Sequence, residues 1–351
     1  MTGYVSVRGA GIGSLTAASV LSSRGWHVEV RDVPRRPPPA LVLNEITRAL
    51  LGDVFGPDLL IGGHALGDRR VRWGPASTEV CVPTASVAIE GGVLLDRLRR
   101  RVTVGEGTEP AHPADWVIDG TGRSGAGPRQ RRAFGRRSVI QAEVSLAEKT
   151  PSRSSWVETV DDGWVHVAPV AASRAVVQAM VPVAPADPAS TLEGMAAATK
   201  NISRQIGGWR GNVSLFPAAP TLAVPLCGPG WLAVADAAVS IDPLSGSGTA
   251  WAVRGGILAA AVIDAVRSGQ PEDECLRHYA DRLHHALADH VARCLDLYRA
   301  AFSTLDWREE LAIMASTMAA LGGHRSAQPF TYRLNGFRLE RPADRLIAPH
   351  G

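Results

Sequence analysis

Residues 4–8 (Tyr-Val-Ser-Val-Arg) make a short β-like run that leads directly into Gly9-Ala-Gly11-Ile12-Gly13-Ser14, followed by apolar residues at helical spacing, Leu15, Ala18, Val20 and Leu21. Strand, glycine turn and helix in that order leave few folds open to the chain. The next alternating run, from Trp26, ends in Asp32, close to the distance of about 20 residues at which a ribose-binding carboxylate follows such a turn. Gly9 permits the turn, Gly11 lets backbone approach a pyrophosphate, and Asp32 accepts from ribose hydroxyls. Ser14, in the third glycine position, is small enough for the helix to pack on the strand. These residues predict a dinucleotide site in a parallel α/β sheet.

A second constellation lies far along the chain. The run Trp231–Ala235 leads to Asp236, and Asp242-Pro243-Leu-Ser-Gly246-Ser247-Gly248 then precedes a long apolar helix that Thr249 opens. A helix start offers free N–H groups and the positive end of its dipole, and the glycines let a ligand come close, so this segment reads as an anion-holding pocket. The alternative is an ordinary helix-capping loop. Between the two, Ala114–Ser124 reads as a buried strand entering a turn at Asp119-Gly120, another place for backbone to meet a cofactor.

With 351 residues and 45% hydrophobic content, the chain has material for two interleaved domains. The net charge of +3 is mild, and of 37 basic residues only Lys149 and Lys200 are lysines, a compositional bias that points to no nucleic-acid partner. Four scattered cysteines (Cys81, Cys227, Cys275, Cys294) lack metal-ligand spacing and read as buried free thiols in a reducing cytoplasm. His278, His284, His285 and His290 read as exposed, and no metal is expected. A strand beginning at residue 4 leaves no room for a signal peptide, and the most apolar helical stretch, near Ile257 to Val266, reads as too short to span a bilayer. The expectation is a cytoplasmic protein without membrane association.

Pro34–Pro39 reads as a loop, Asn44–Phe55 as a helix, Val71–Pro83 as a strand, Val93–Leu98 as a helix and Arg99–Val104 as a strand. From Ser138 to Val183, short β runs with turns predict an antiparallel sheet. Residues 189–208 read as one helix, and 250–322 as almost wholly helical. The expected organisation is a discontinuous cofactor domain (1–70, 90–137 and 225–268), a substrate domain (71–89 and 138–224) and a C-terminal helical region with tail (269–351). Arg123, Arg129, Arg131, Arg132, Arg136 and Arg137 form a basic cluster that reads as a solvated loop, or else as a surface for NADPH phosphates or an acidic partner.

Gly9, Gly11 and Asp32, the Asp119-Gly-Thr-Gly-Arg-Ser124 motif, and Asp236 with Pro243, Gly246 and Gly248 together resemble the flavoprotein monooxygenases with the p-hydroxybenzoate hydroxylase fold, over most of residues 1–265. Related branches are the flavin-dependent halogenases and the flavoproteins that mature tryptophylquinone enzymes. The resemblance implies FAD, with Asp236 on the ribitol and Pro243 and the following amides beside the isoalloxazine. It implies a Rossmann-type FAD-binding domain interleaved with an antiparallel substrate sheet, plus C-terminal helices. Ala235 departs from the family, which has glycine before the aspartate. Asn44-Glu45 is similar to a Gly-Glu pair near the flavin in the halogenase-like branch, and Trp164-Val-His166-Val-Ala-Pro169 to that branch's Trp-x-Trp-x-Ile-Pro, with His166 in place of the second tryptophan. Both lysines fall outside the first third of the chain, where halogenases carry theirs, which demotes halogenation.

The resemblance therefore implies an FAD-dependent monooxygenase that hydroxylates an aromatic, indole- or tryptophan-like substrate, free or peptidyl, through a flavin C4a-hydroperoxide. Electrons would come from NAD(P)H, reduced flavin or a reductase. His166 is the candidate base, or a packed residue; Trp164 a stacking wall, or core; Glu45 a polar group near the flavin, or a helix-start residue. Two alternatives stand: an FAD oxidoreductase without oxygen insertion, and a maturation flavoprotein acting on a partner protein.

Overall fold

The computed structural model describes residues 3–32, 36–106, 113–124, 130–322 and 330–342. Numbering elements along the chain, the first sheet contains β1 (Tyr4–Arg8), β2 (His27–Asp32), β6 (Val104–Glu106), β7 (Trp116–Asp119), β15 (Cys227–Gly228) and β16 (Trp231–Ala233), in the order β15-β16-β7-β1-β2-β6. All its pairings are parallel except β15 with β16. Val5, Val7 and Ile118 are completely buried because helices cover the sheet, and this is why its strands read as apolar runs.

Of the helices, α1 (Ile12–Ser23) crosses α5 (Gly248–Arg267) at close range. A Cβ on Gly13 would lie 3.0 Å from the Ala252 carbonyl oxygen, and one on Gly256 only 2.4 Å from that of Gly13, so glycine on both helices sets their separation. The fingerprint's Gly13 thus serves packing. At 20 residues, α5 is long and apolar enough to cross a membrane, contrary to the shorter stretch read from sequence, but most of it is buried within the protein. Packing against α1, α2 and α6 accounts for its apolarity.

The second sheet has eight strands: β3 (Leu41–Leu43), β4 (His64–Arg72), β5 (Val80–Ile89), β9 (Ser138–Leu146), β10 (Ser154–Val160), β11 (Gly163–Pro169), β12 (Arg174–Val181) and β13 (Ile206–Pro217), ordered β13-β9-β12-β11-β10-β4-β5-β3. It is antiparallel apart from β4 with β10. One face, with Ile140, Val144, Trp156, Val165, Val167 and Val177, closes a separate core under α4 (Pro188–Ala198). A short three-stranded sheet, β8 (Gln130–Ala133), β14 (Thr221–Val224) and β17 (Val239–Ser240), joins the two halves. Helices α2 (Glu45–Phe55), α3 (Gly91–Arg99), α6 (Glu272–Ala301) and α7 (Leu305–Gly322) and the hairpin β18 (Arg333–Asn335) and β19 (Arg338–Glu340) complete the described chain.

Several expectations are corrected. The supposed strand Val71–Pro83 is the end of β4, a turn and the start of β5. Leu41–Leu43 and His64–Arg70, assigned by sequence to the cofactor part, pair in the eight-stranded sheet; the polar residues of His64–Arg70 hide its alternation, and Leu41–Leu43 is too short to show one. α3 runs through Arg99, and only Val104–Glu106 is strand. The single helix at 189–208 ends at Ala198, and extended chain resumes at Ile206. Cys81 is exposed and Cys227 half-buried. His278 and His290 are buried, lying on the inner faces of α6. The basic cluster divides: Arg129 lies outside the described residues, while Arg137 is completely buried.

Candidate active site

Both anion-holding segments open into one cavity of about 560 Å³ between the two sheets. Gly9, Gly11, Ile12, Gly13, Ser14 and Asp32 line one part of its wall, Gly120 to Arg123 another, and Asp236, Pro243, Gly246 and Gly248 a third. The resemblance assigns these segments to one FAD site, and the fold brings them to one cavity. Gly9 holds φ at 88°, and a Cβ there would sit 2.7 Å from the Gly120 carbonyl oxygen, so β1 and the turn after β7 meet only through glycine.

The residues fit FAD on an observation of the walls themselves. Helices α1 and α5 both begin at this cavity, and neither Gly11 nor Ser247, their N-cap residues, supplies a side-chain cap. No atom lies within 4 Å of a Cβ built on Gly11 or Gly248. Two helix starts with uncapped N–H groups thus border the same space, a donor set suited to a pyrophosphate and to the electron-rich edge of a flavin. Asp32 lies at the end of β2, accepting from the Ala10 amide (3.1 Å) and from Arg99 Nη2 (2.5 Å). Arg99 was not singled out from sequence, since nothing in its arginine-rich surroundings distinguished it.

Other predicted residues take different places. Asp119 is buried and accepts from the Thr121 amide (2.9 Å) and hydroxyl (2.6 Å), so it shapes the turn whose Gly120 and Thr121 line the cavity. Asp236 is exposed at the cavity wall, 3.8 Å from Arg123 Nε. Ser247 does not line the cavity; its hydroxyl pairs with that of Ser245 at 2.6 Å. Glu45 is corrected: it is an exposed first residue of α2, outside the cavity walls, and Asn44 caps that helix by accepting from the Thr47 amide. The pair carries a helix-start signal, which sequence alone could not separate from a flavin contact.

Opposite the glycine loops stands the second face of the eight-stranded sheet. Cross-strand register puts Val157, His166, Gln178 and Gln141 in one row, because Val157 pairs with His166, His166 with Gln178 and Gln178 with Gln141. Trp164, Ala168 and Val176 flank that row on the cavity side. The alternation of β11 therefore sends Val165 and Val167 into the α4 core and Trp164 and His166 into the cavity. Burial, and secondarily the nearby charge of Arg69, push the His166 pKa down to about 3, opposed by a side-chain hydrogen bond that the imidazole donates to Gln178. The imidazole is therefore neutral near pH 7 and a weak base.

Behind the Pro243 loop, a buried network ties it to the C-terminal helices. Asp242 accepts from the Leu244 amide (2.9 Å), Tyr298 Oη (2.8 Å) and Arg137 Nε (2.9 Å), and its own amide donates to His290 Nε2 (2.9 Å). Arg137 also pairs with Glu310 of α7. Trp164 Nε1 donates to Tyr298 Oη at 3.4 Å, extending the network to the opposite wall. Tyr298, Phe302 and Trp307 stack around it, the last two with centroids 4.2 Å apart.

No protein-family model and no curated protein matches the sequence. Among solved structures, the chain is similar to a peptidyl tryptophan dihydroxylase, QhpG, essential for tryptophylquinone cofactor biogenesis (19% identity, 97% of this chain and 86% of the other, TM-score 0.75). It is also similar to CmlS, a flavin-dependent halogenase (18%, 96% and 74%, 0.75), and to Klebsiella pneumoniae HpxO complexed with FAD and uric acid (18%, 91% and 96%, 0.66). The fold is thus that of FAD-dependent hydroxylases and halogenases, a Rossmann-type sheet interleaved with an antiparallel one.

Proposed function

We propose that the protein is an FAD-dependent monooxygenase that hydroxylates an aromatic substrate, indole- or tryptophan-like, free or peptidyl. The carrying observation is the single cavity that joins two uncapped helix starts to a sheet face bearing Trp164, His166 and Gln178. When bound and reduced by NAD(P)H, reduced flavin or a reductase, FAD supplies the activation of dioxygen. The start of α1 would hold the pyrophosphate and Asp32 the ribose, while the start of α5 would stabilise negative charge on the ring. Val157, Trp164 and Val176 exclude water and present an apolar wall to a flat substrate. His166, held neutral, positions a polar substituent by hydrogen bonding in this reading and is not the base that removes a proton.

The test begins with the cofactor: protein loaded with FAD is denatured, and the released flavin is identified by spectrum and mass. Aromatic substrates are then screened for NAD(P)H consumption above background, with labelled dioxygen to follow oxygen into product. One labelled oxygen atom or more in an aromatic product is expected. Protein that cannot be loaded with FAD sinks the reading, and double-bond reduction without oxygen incorporation favours the oxidoreductase alternative.

A further inference from the structure

Arg69, on β4, has a setting unlike the other cations of the cavity. Arg99 faces Asp32 and Arg123 faces Asp236, while Arg36 is open to solvent. Arg69 is half-buried, and its guanidinium makes no ion pair or hydrogen bond among the described residues. Its Nη2 lies 3.9 Å from where a Cβ on Gly246 would be, and its charge acts on His166 across the cavity wall. The guanidinium therefore lies between the glycine loop and the polar row of the sheet. Burial alone pulls its pKa down, with no acid to oppose it. Arginine's planar fork matches a carboxylate, and a desolvated cation facing a ligand cavity without a protein partner is completed by a ligand anion.

We infer that Arg69 is the anion subsite of the substrate pocket, so that the substrate is a small aromatic acid whose ring lies against Trp164, Val157 and Val176 and whose carboxylate pairs with this guanidinium. The assignment rests on the monooxygenase reading and deepens it. His166 and Gln178, on the second and third strands from β4, then address a polar substituent on the ring, and the neutral imidazole leaves the positive field of Arg69 to the carboxylate alone.

The test uses FAD-loaded protein and matched probes, indoleacetate with indoleacetamide and phenylacetate with phenylacetamide, titrated by the shift in flavin absorbance. Acids are expected to bind about 10- to 100-fold more tightly than their amides, the range of one charge-assisted contact. Arg69→Met is expected to abolish that preference while amide affinity, thermal midpoint and flavin midpoint potential stay unchanged; Arg69→Lys keeps part of it. Equal binding of acid and amide to the wild-type protein overturns the inference. So does an Arg69→Met variant that lowers the flavin potential and weakens both probes alike, which would make Arg69 a flavin partner. A thermal shift by the acids on flavin-free protein separates the two levels. If FAD never binds but an Arg69-dependent acid shift persists, the monooxygenase reading falls and the anion subsite stands.

Discussion

Ala235 holds φ at 49°, in the left-handed region that glycine occupies freely and other residues occupy at a cost of about 1–2 kcal/mol. It stands where the resembling family has glycine, so the departure seen in sequence is a local strain in the structure. The same side chain limits α1: a Cβ on Gly13 would come within 2.8 Å of the Ala235 Cβ and 3.0 Å of the Ala252 carbonyl oxygen. Ala235→Gly is expected to change stability by less than about 1 kcal/mol, since relief of strain is offset by the added freedom of the unfolded chain. Gly13→Ala should cost about 1–3 kcal/mol as an overpacked contact, and less in the Ala235→Gly background, where one of its two clashes is gone. Denaturant midpoints of the four proteins measure this coupling, and strict additivity would contradict it.

At the scale of elements, α6 and α7 anchor the loop that starts α5. Asp242 and Arg137 are completely buried, and their partners Tyr298, His290 and Glu310 all come from those two helices. Burial pushes the Glu310 carboxyl up, opposed by the Arg137 charge beside it. Arg137 is the one cation shared by these two buried carboxylates, so removing its charge leaves both uncompensated, at about 3–5 kcal/mol, whereas losing one hydrogen bond to a carboxylate costs about 1.5–3 kcal/mol. Arg137→Met is therefore expected to destabilise the protein more than Tyr298→Phe, read by urea unfolding. An Arg137→Met variant within about 1 kcal/mol of wild type would show that the charge of the network contributes little.

At the scale of the whole molecule, three histidines among the described residues are held neutral by burial: His166 with its pKa pushed down to about 3, His278 to about 4, and His290 lowered as well. Each folded value lies below the ordinary one of about 6.5. Between the two values the unfolded chain binds a proton that the folded chain does not, so stability rises with pH there and is lost as pH falls below about 6.5. Unfolding free energy measured from pH 7 to pH 5 should fall, and His278→Gln should flatten the slope. A profile that is level over this range would refute the account.

The cofactor half was legible because its signals are local. Gly9 to Ser14, Asp32 and the Pro243–Gly248 loop are each set by backbone requirements within a turn or at a helix start, and short spacing records such requirements. The same local view showed that β11 alternates, but not which of its faces meets a ligand. Sequence by itself determined a glycine-turn dinucleotide site, a second helix-start loop and an antiparallel sheet between them. Tertiary structure alone decided that both helix starts open into one cavity, that Trp164 and His166 face it while Glu45 does not, and that Arg137 is a buried partner of Asp242. It also set Arg69 beside Gly246, two residues far apart in sequence that no local rule brings together. Burial, partner charge and register across strands depend on residues distant in sequence, and only packing brings those residues into one electrostatic environment.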